Sequence, residues 1–430
     1  MNLLHLSTAD LHGGAAQATY QIHALLREAG HRSVMAVRRK DSMDPDVVPV
    51  GALSLWKCRW PERAERLRTR FAGGHRVQSR PLYTFNRNLA PVPDWEAALE
   101  VLPKPDVVFL HWINHLMTAA DIRRLAERLA CPIVWVLMDM EPMTGGCHYP
   151  GACPRFRDAC RDCPQLEAAG RCDWAERTWR EKHRQLAGLP ITFVAPTRWL
   201  AERLAQSGLF RGHAIEQIPL PVNIRMQPLE KAVARKILGL PADRKIILVG
   251  SHNLKDSRKG MEPLVEAAHL LAQGTVPSGG RPAGREDVLF LLAGSNGAEL
   301  AGRLPFPSQV LGYVRDDIVL SHAYQAADVF ACPSLEDAGP MMVSQSMMCG
   351  TSVVAFDTGI VSELLASGGG YMARLGDAED FARGLKAMLG DDGSAGRRAA
   401  EIAARHHDLH RIAQAYGTML DRLADGRRTR

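Results

Sequence analysis

Short apolar runs alternate with stretches of helical spacing along nearly the whole chain, and the rhythm starts twice. The first series occupies residues 2–7, 107–110, 133–137, 191–195 and 215–218, with helical segments such as 119–129 and 199–205 between. After Pro219, Leu220, Pro221 and Val222 it begins again, at residues 246–249, 288–293, 310–311, 329–331 and 353–356. Continuous apolar runs flanked by amphipathic helices are what parallel strands buried on both faces require. The chain is therefore expected to be α/β, with two Rossmann-like, doubly wound domains hinged at the prolines. The first is placed at residues 1–218, the second at 219–405, and a helical tail at 406–430 packs back toward the first. Ligands in such folds bind beyond the carboxyl ends of the strands, so the expected site is a cleft that the two halves face.

A length of 430 residues with 46% hydrophobic content suits about two or three cores. The N-terminus, MNLLHLSTADLHGG, lacks the basic head and cleavage site of an export signal, and no apolar run approaches the ~20 residues that span a bilayer. A cytoplasmic location is expected. In that reducing compartment the nine cysteines read as core residues, metal ligands or reactive thiols rather than disulfides. The net charge of +6 favours anionic partners, but no nucleic-acid-binding motif accompanies it. Residues 56–80 set Lys57, Arg59, Arg63, Arg66, Arg68, Arg70, Arg76 and Arg80 among Trp56, Trp60, Leu67 and Phe71. This reads either as a peripheral contact with an anionic membrane face or as a solvated basic loop and helix.

The segment PSLEDAGPMMVSQSMMCGTSVVAF, residues 333–356, is the richest in chemistry. Glu336 and Asp337 follow a strand, Gly339 comes next, and a helix is expected to begin near Pro340 and Met341. A helix N-terminus offers unpaired N–H groups and partial positive charge to a diphosphate. Asp337 would accept hydrogen bonds from sugar hydroxyls, and Gln345 could reach a ribose. An ordinary capped helix between two strands reads the same segment equally well. In the first half, Gly13 and Gly14 follow the first strand and let backbone approach a phosphate, or simply make a tight turn. His111, Trp112 and Asn114 follow the strand at 107–110 and are candidate acceptor contacts, or residues closing the top of the core. Cys147, Cys153, Cys160 and Cys163 have five, six and two residues between them, a spacing at which four thiolates can surround one structural zinc. Unligated thiols or redox-sensitive pairs fit the same spacing.

Residues 333–356 resemble the donor-binding signature of family 4 glycosyltransferases, enzymes of the two-domain GT-B architecture. There an acidic residue, seven intervening residues and a glutamate precede a Cys-Gly-Thr-type turn. The resemblance implies that Asp337 meets the donor sugar and that Gln345, replacing the glutamate, meets the nucleotide ribose, without a carboxylate's charge. VGSHNLKDSRKGMEPLVEA, residues 249–267, matches a second segment of the family, which implies that Lys259 and Arg258 hold the leaving diphosphate. The arginine usual just after that strand is absent, Ser251 and His252 standing there. The glycine loop at Gly13 and Gly14 would face donor diphosphate and acceptor.

Residues 134–166 resemble a subgroup acting in exopolysaccharide and surface-polysaccharide assembly, with Met138 where many members have a histidine. Asp139 would orient an acceptor hydroxyl, and His148 would contact donor or acceptor. The resemblance implies a retaining glycosyltransferase that uses a nucleotide-diphosphate sugar, a saccharide or lipid-linked acceptor, and no catalytic cofactor. A sugar-nucleotide-binding protein that has lost turnover, suggested by Gln345 and Met138, and a GT-B-like sugar-nucleotide epimerase are the competing expectations.

Overall fold

The computed structural model describes residues 1–50, 99–100, 102–166, 173–222, 229–274 and 287–428. They divide into two compact units, Met1–Pro221 with Leu409–Arg430, and Val222–Asp408. Each division falls three residues beyond the place expected from the sequence, at 221/222 and 408/409. Ile218 and Leu220 still pack in the first core, which keeps the proline segment with it.

In the first unit β1 (Asn2–Ala9), α1 (Gly14–Glu28), β2 (Arg32–Arg39), β3 (Val47–Pro49), β4 (Val107–Leu110), α2 (Ala119–Leu129), β5 (Ile133–Val136), α3 (Trp174–Leu186), β6 (Ile191–Ala195), α4 (Arg198–Gln206) and β7 (Ala214–Gln217) follow in chain order. The described strands form one parallel sheet, β3-β2-β1-β4-β5-β6-β7. β4, β5 and β6 are buried at every residue, hence their unbroken apolar sequences. Local chemistry sets the helix starts. Thr118 and Asp121 form a capping box on α2, and the side chains of Asp173 and Thr197 cap α3 and α4.

The second unit contains α5 (Lys231–Ile237), β8 (Lys245–Asn253), α6 (Met261–Gln273), β9 (Val288–Ser295), α7 (Gly297–Ala301), β10 (Ser308–Gly312), α8 (Asp317–Ala326), β11 (Val329–Cys332), α9 (Met341–Met348), β12 (Ser352–Phe356), α10 (Val361–Leu365), β13 (Gly370–Ala373), α11 (Ala378–Leu389) and α12 (Ser394–His406). Its described strands run parallel in the order β10-β9-β8-β11-β12-β13. Neighbouring residues supply opposite faces: Leu248, Phe330 and Val353 pack in one core layer, Val249, Ala331 and Val354 in the other. The last helix, α13 (Leu409–Arg428), returns to the first unit, where Ile412, Tyr416, Met419 and Leu420 pack with Leu3, Ile22, Phe109 and Val134.

Both sheets reverse direction once. In the first unit the chain winds β1-β2-β3 and then crosses to put β4 on the other side of β1; in the second it winds β8-β9-β10 and then puts β11 beside β8. At such a reversal the two loops leaving the strand ends diverge, and a ligand fits between them. Among the described residues no helix is long and apolar enough to cross a membrane. The basic stretch at 56–80 lies outside the described residues.

Candidate active site

At the β8–β11 reversal the two loops are laced together. The Leu335 N–H donates to the Arg258 carbonyl at 2.7 Å. Arg258 in turn donates from Nη1 to the Glu336 carbonyl at 3.2 Å and from Nη2 to Asp256 Oδ2 at 2.7 Å. Gly260 opens α6 with φ 67°, and a Cβ there would stand 1.8 Å from the Pro333 carbonyl oxygen. Only glycine allows so close a crossing. It brings Lys259 Nζ within 2.5 Å of Asp337 Oδ2, while Asp337 Oδ1 accepts the Gly339 N–H at 3.2 Å. Burial alone would raise the Asp337 pKa; the Lys259 charge and hydrogen bond, with Arg258 and the Gly339 N–H, outweigh it and hold the carboxyl below its usual range. Arg258, expected to hold phosphate, spends these two nitrogens as a strut between the loops.

Pro340 precedes α9, whose first turn has neither a side-chain cap nor an acidic residue. The Val343 N–H bonds the Pro340 carbonyl at 2.9 Å, so among the described residues the Met341 and Met342 N–H groups and the dipole are left for an anion. A Cβ on Gly250 would lie 2.1 Å from Met342 Cε, so this first turn closes directly over the end of β8. Beside it Ser251 Oγ is buried without a protein partner among the described residues. Gln345 is buried, and its Oε1 accepts the Tyr324 hydroxyl at 3.1 Å, so the expected ribose contact doubles as a core anchor. His252 is exposed, its ring edge-on to Tyr313 with centroids 4.7 Å apart.

In the first unit the β1–β4 reversal carries Gly13, which caps α1 with φ 89°, and Gly14, its first residue. Asp10, which no motif singles out, is buried and receives the N–H groups of Leu11, Asp41 and Ser42 at 2.8 to 2.9 Å. It fixes the loop that leads to the glycines. Thr8 donates to the Trp112 and Asn114 carbonyls from across the reversal. Asp139 Oδ2 lies 2.6 Å from His148 Nδ1 and accepts the Trp112 indole N–H at 3.0 Å; Asn114 Nδ2 is 3.2 Å from His148 Nε2. Four expected site residues thus form one network. Burial opposes charge on both partners of the pair, yet their mutual attraction prevails, lowering the Asp139 pKa and raising that of His148. His148 is 1% exposed and Trp112 half-buried, so the indole is the member that meets the surface.

His111 stands apart from them. Its ring turns into the core, Nε2 lying 2.9 Å from His5 Nδ1, and stacks in series with His5 and Phe109. Met138 packs against the first core. Lys182 of α3 is buried and bonded to Glu141, a pair 41 residues apart that no local pattern announces.

Cys147, Cys153, Cys160 and Cys163 all line one pocket, with Gly145, Phe156 and Ala175. Burial raises the Cys147 thiol well above its ordinary range and Cys160 to about 12, and nearby thiols add to both shifts. The Gly145 N–H donates to Cys160 Sγ at 3.2 Å. The spacing thus brings the four residues together, but among the described residues no three His, Cys, Asp or Glu side chains are arranged to hold a metal ion.

The family Glycosyl transferases group 1 matches residues 243–391, a span that holds Lys259, Asp337, Gln345 and the start of α9. The matched residues lie within the second unit. Among curated proteins the chain is similar to a D-inositol 3-phosphate glycosyltransferase of Mycolicibacterium gilvum, 32% identical over 210 residues that cover 46% of this chain and 45% of the relative. A namesake from Xylanimonas cellulosilytica is 28% identical over 293 residues, covering 64% and 62%. The chain thus spans about half the length of these relatives. Among solved structures, sucrose-phosphate synthase from Thermosynechococcus elongatus covers 99% of both chains with a TM-score of 0.67 at 17% identity. Anabaena HepE in complex with UDP and glucose covers 98% of this chain and 99% of its own, with a TM-score of 0.65 at 16% identity. These likenesses extend over both units, so the fold is GT-B.

Proposed function

We propose that the chain is a glycosyltransferase whose group 1 domain holds a nucleoside-diphosphate sugar and whose first unit receives a saccharide or lipid-linked saccharide acceptor. The Lys259–Asp337 pair at the β8–β11 reversal, under the open N-terminus of α9, is the observation that carries this reading. An ammonium and a helix N-terminus suit a diphosphate that gains charge as it leaves, and fixed donors of this kind lower the barrier without reorganising. Asp337, held ionised, would orient sugar hydroxyls as an acceptor. Gln345, fixed by Tyr324, would keep its amide N–H for the ribose. On the acceptor side, Trp112 backed by Asp139, His148 and Asn114 would line the β1–β4 reversal near Gly13 and Gly14.

Transfer would be retaining, the donor phosphate accepting the acceptor's proton while the protein positions the two substrates. The resemblance of residues 134–166 to polysaccharide-assembly enzymes favours a role in bacterial surface polysaccharide. The names of the curated relatives favour a second acceptor, D-inositol 3-phosphate. Incubation of the protein with UDP-, GDP- and ADP-sugars and either class of acceptor, with the product's anomeric configuration read by NMR, tests the reading. A glycoside with the donor's configuration is expected. Donor binding without any product, under every pairing, would instead support a sugar-nucleotide-binding protein.

A further inference from the structure

The loop that carries Asp139 and His148 rests on a buried charge pair. Lys182 lies in α3, and its ammonium reaches residues 141–144. There Nζ donates to the Glu141 carbonyl at 2.5 Å, to Glu141 Oε1 at 2.6 Å and to the Thr144 carbonyl at 3.0 Å. Three acceptors match three N–H groups. Lys182 and Glu141 are each 2% exposed. A buried ion pair loses so much hydration that apolar residues often replace it without loss of stability, so packing alone gives no reason for this one.

What the pair supplies is direction. A greasy contact would let the short turn at Glu141–Met143 slide, whereas a saturated ammonium holds it at one position. The constraint then passes along hydrogen bonds. The Glu141 N–H donates to Asp139 Oδ1 at 2.8 Å, Asp139 Oδ2 engages His148 Nδ1 and the Trp112 indole, and the Met140 N–H donates to the His148 carbonyl at 3.1 Å. We propose that Lys182 is a positioning residue for the acceptor side: by clamping Glu141 it fixes the Asp139 carboxylate, and through it the His148 ring and the Trp112 indole. Lys182 acts through the turn it holds, at Glu141 and at the Thr144 carbonyl, and from there through Asp139. This role rests on the reading of the first unit as the acceptor unit, but the clamp itself is testable without an acceptor.

The experiment uses the full chain labelled with 15N at histidine. The His148 Nδ1 proton, bonded to a carboxylate and screened from water, should give a far-downfield, slowly exchanging resonance, assigned by its absence in His148→Gln. Lys182→Met alone strands the Glu141 carboxylate, so the informative variant is the neutral pair Lys182→Met with Glu141→Gln. It should keep the wild-type circular dichroism and its affinity for UDP, and lose the downfield resonance. Glu141→Gln alone weakens one of three contacts and should speed exchange of that proton by about tenfold, as loss of a charged hydrogen bond implies. If both variants fold and the resonance and its exchange rate match the wild type, Lys182 is a structural residue only and the proposal is overturned. If the wild type binds no UDP, the functional reading fails separately, and the resonance still decides the clamp.

Discussion

Lys259 Nζ lies 2.5 Å from Asp337 Oδ2, a contact across 78 residues that ties the loop after β8 to the loop after β11. One pair therefore closes the topological reversal and sets the charge at the proposed donor position. Lys259→Met should cut kcat/KM about ten- to a hundredfold, the cost of one charge-assisted contact of roughly 1.5 to 3 kcal/mol. Steady-state kinetics with the best donor measures it. Unchanged turnover in a folded variant would remove Lys259 from the donor site.

The same pair links stability to acid. The Asp337 pKa is depressed in the folded chain, so its contribution is present above the unfolded value of about 3.9 and lost as pH falls through the lower folded value. The stability gap between wild type and Lys259→Met should be full at pH 8 and narrow as pH falls, because the buried carboxyl of the variant takes its proton before that of the wild type. Denaturant titrations over that fall in pH measure the gap. A gap that widens in acid would mean the carboxyl is not held ionised by Lys259.

Gly260→Ala should be far worse than an ordinary glycine replacement. It combines left-handed backbone with a Cβ placed 1.8 Å from the Pro333 carbonyl oxygen, so the β8–α6 loop must part from the β11–α9 loop. A cost of about 2 to 4 kcal/mol is expected, together with loss of nucleotide affinity. Gly13→Ala, with nothing within 4 Å of its Cβ among the described residues, carries the backbone strain alone and should cost less.

The strand pattern was readable because the central strands are buried on both faces: β4 at Val107–Leu110 and β6 at Ile191–Ala195 coincide with their apolar runs. β2 escaped notice because its short apolar run, residues 34–37, is enclosed by Arg32, Ser33, Arg38 and Arg39, and β13 because glycine and an exposed methionine occupy it. Site chemistry was legible where it is local, as at Lys259-Gly260 and from Asp337 to Gln345. The Lys182–Glu141 clamp and the service of Arg258 as a strut arise from contacts 41 and 78 residues apart. No window of sequence contains them. Of the two expectations for His111, the geometry fits the one that closes the top of the core: it follows a buried strand, and its ring continues the inward stack begun by Phe109.

That stack, with the His23 ring of α1 edge-on to His5 at 5.7 Å, should make the first unit acid-sensitive. Burial lowers the pKa of His23 to about 4, of His111 to about 3 and of His5 well below its ordinary value; neighbouring histidines deepen the shift for His5 and His111, while Asp44 opposes it for His23. An unfolded histidine takes its proton near pH 6.5, so between that value and the folded ones the unfolded chain binds more protons and stability falls as pH drops. From pH 7 to 5 each histidine can remove about 2 kcal/mol. Denaturant midpoints should fall accordingly, and less steeply in His23→Gln. A flat profile would mean these rings take up protons without unfolding.

Titration calorimetry of the wild type and Lys259→Met with UDP-, GDP- and ADP-sugars tests the central claim most directly, because it asks whether the β8–β11 reversal holds a sugar nucleotide. One donor class should bind the wild type and bind Lys259→Met about tenfold or more weakly, in keeping with a lost charge-assisted contact. No measurable heat with any of the three, or equal affinity for both proteins, would contradict it.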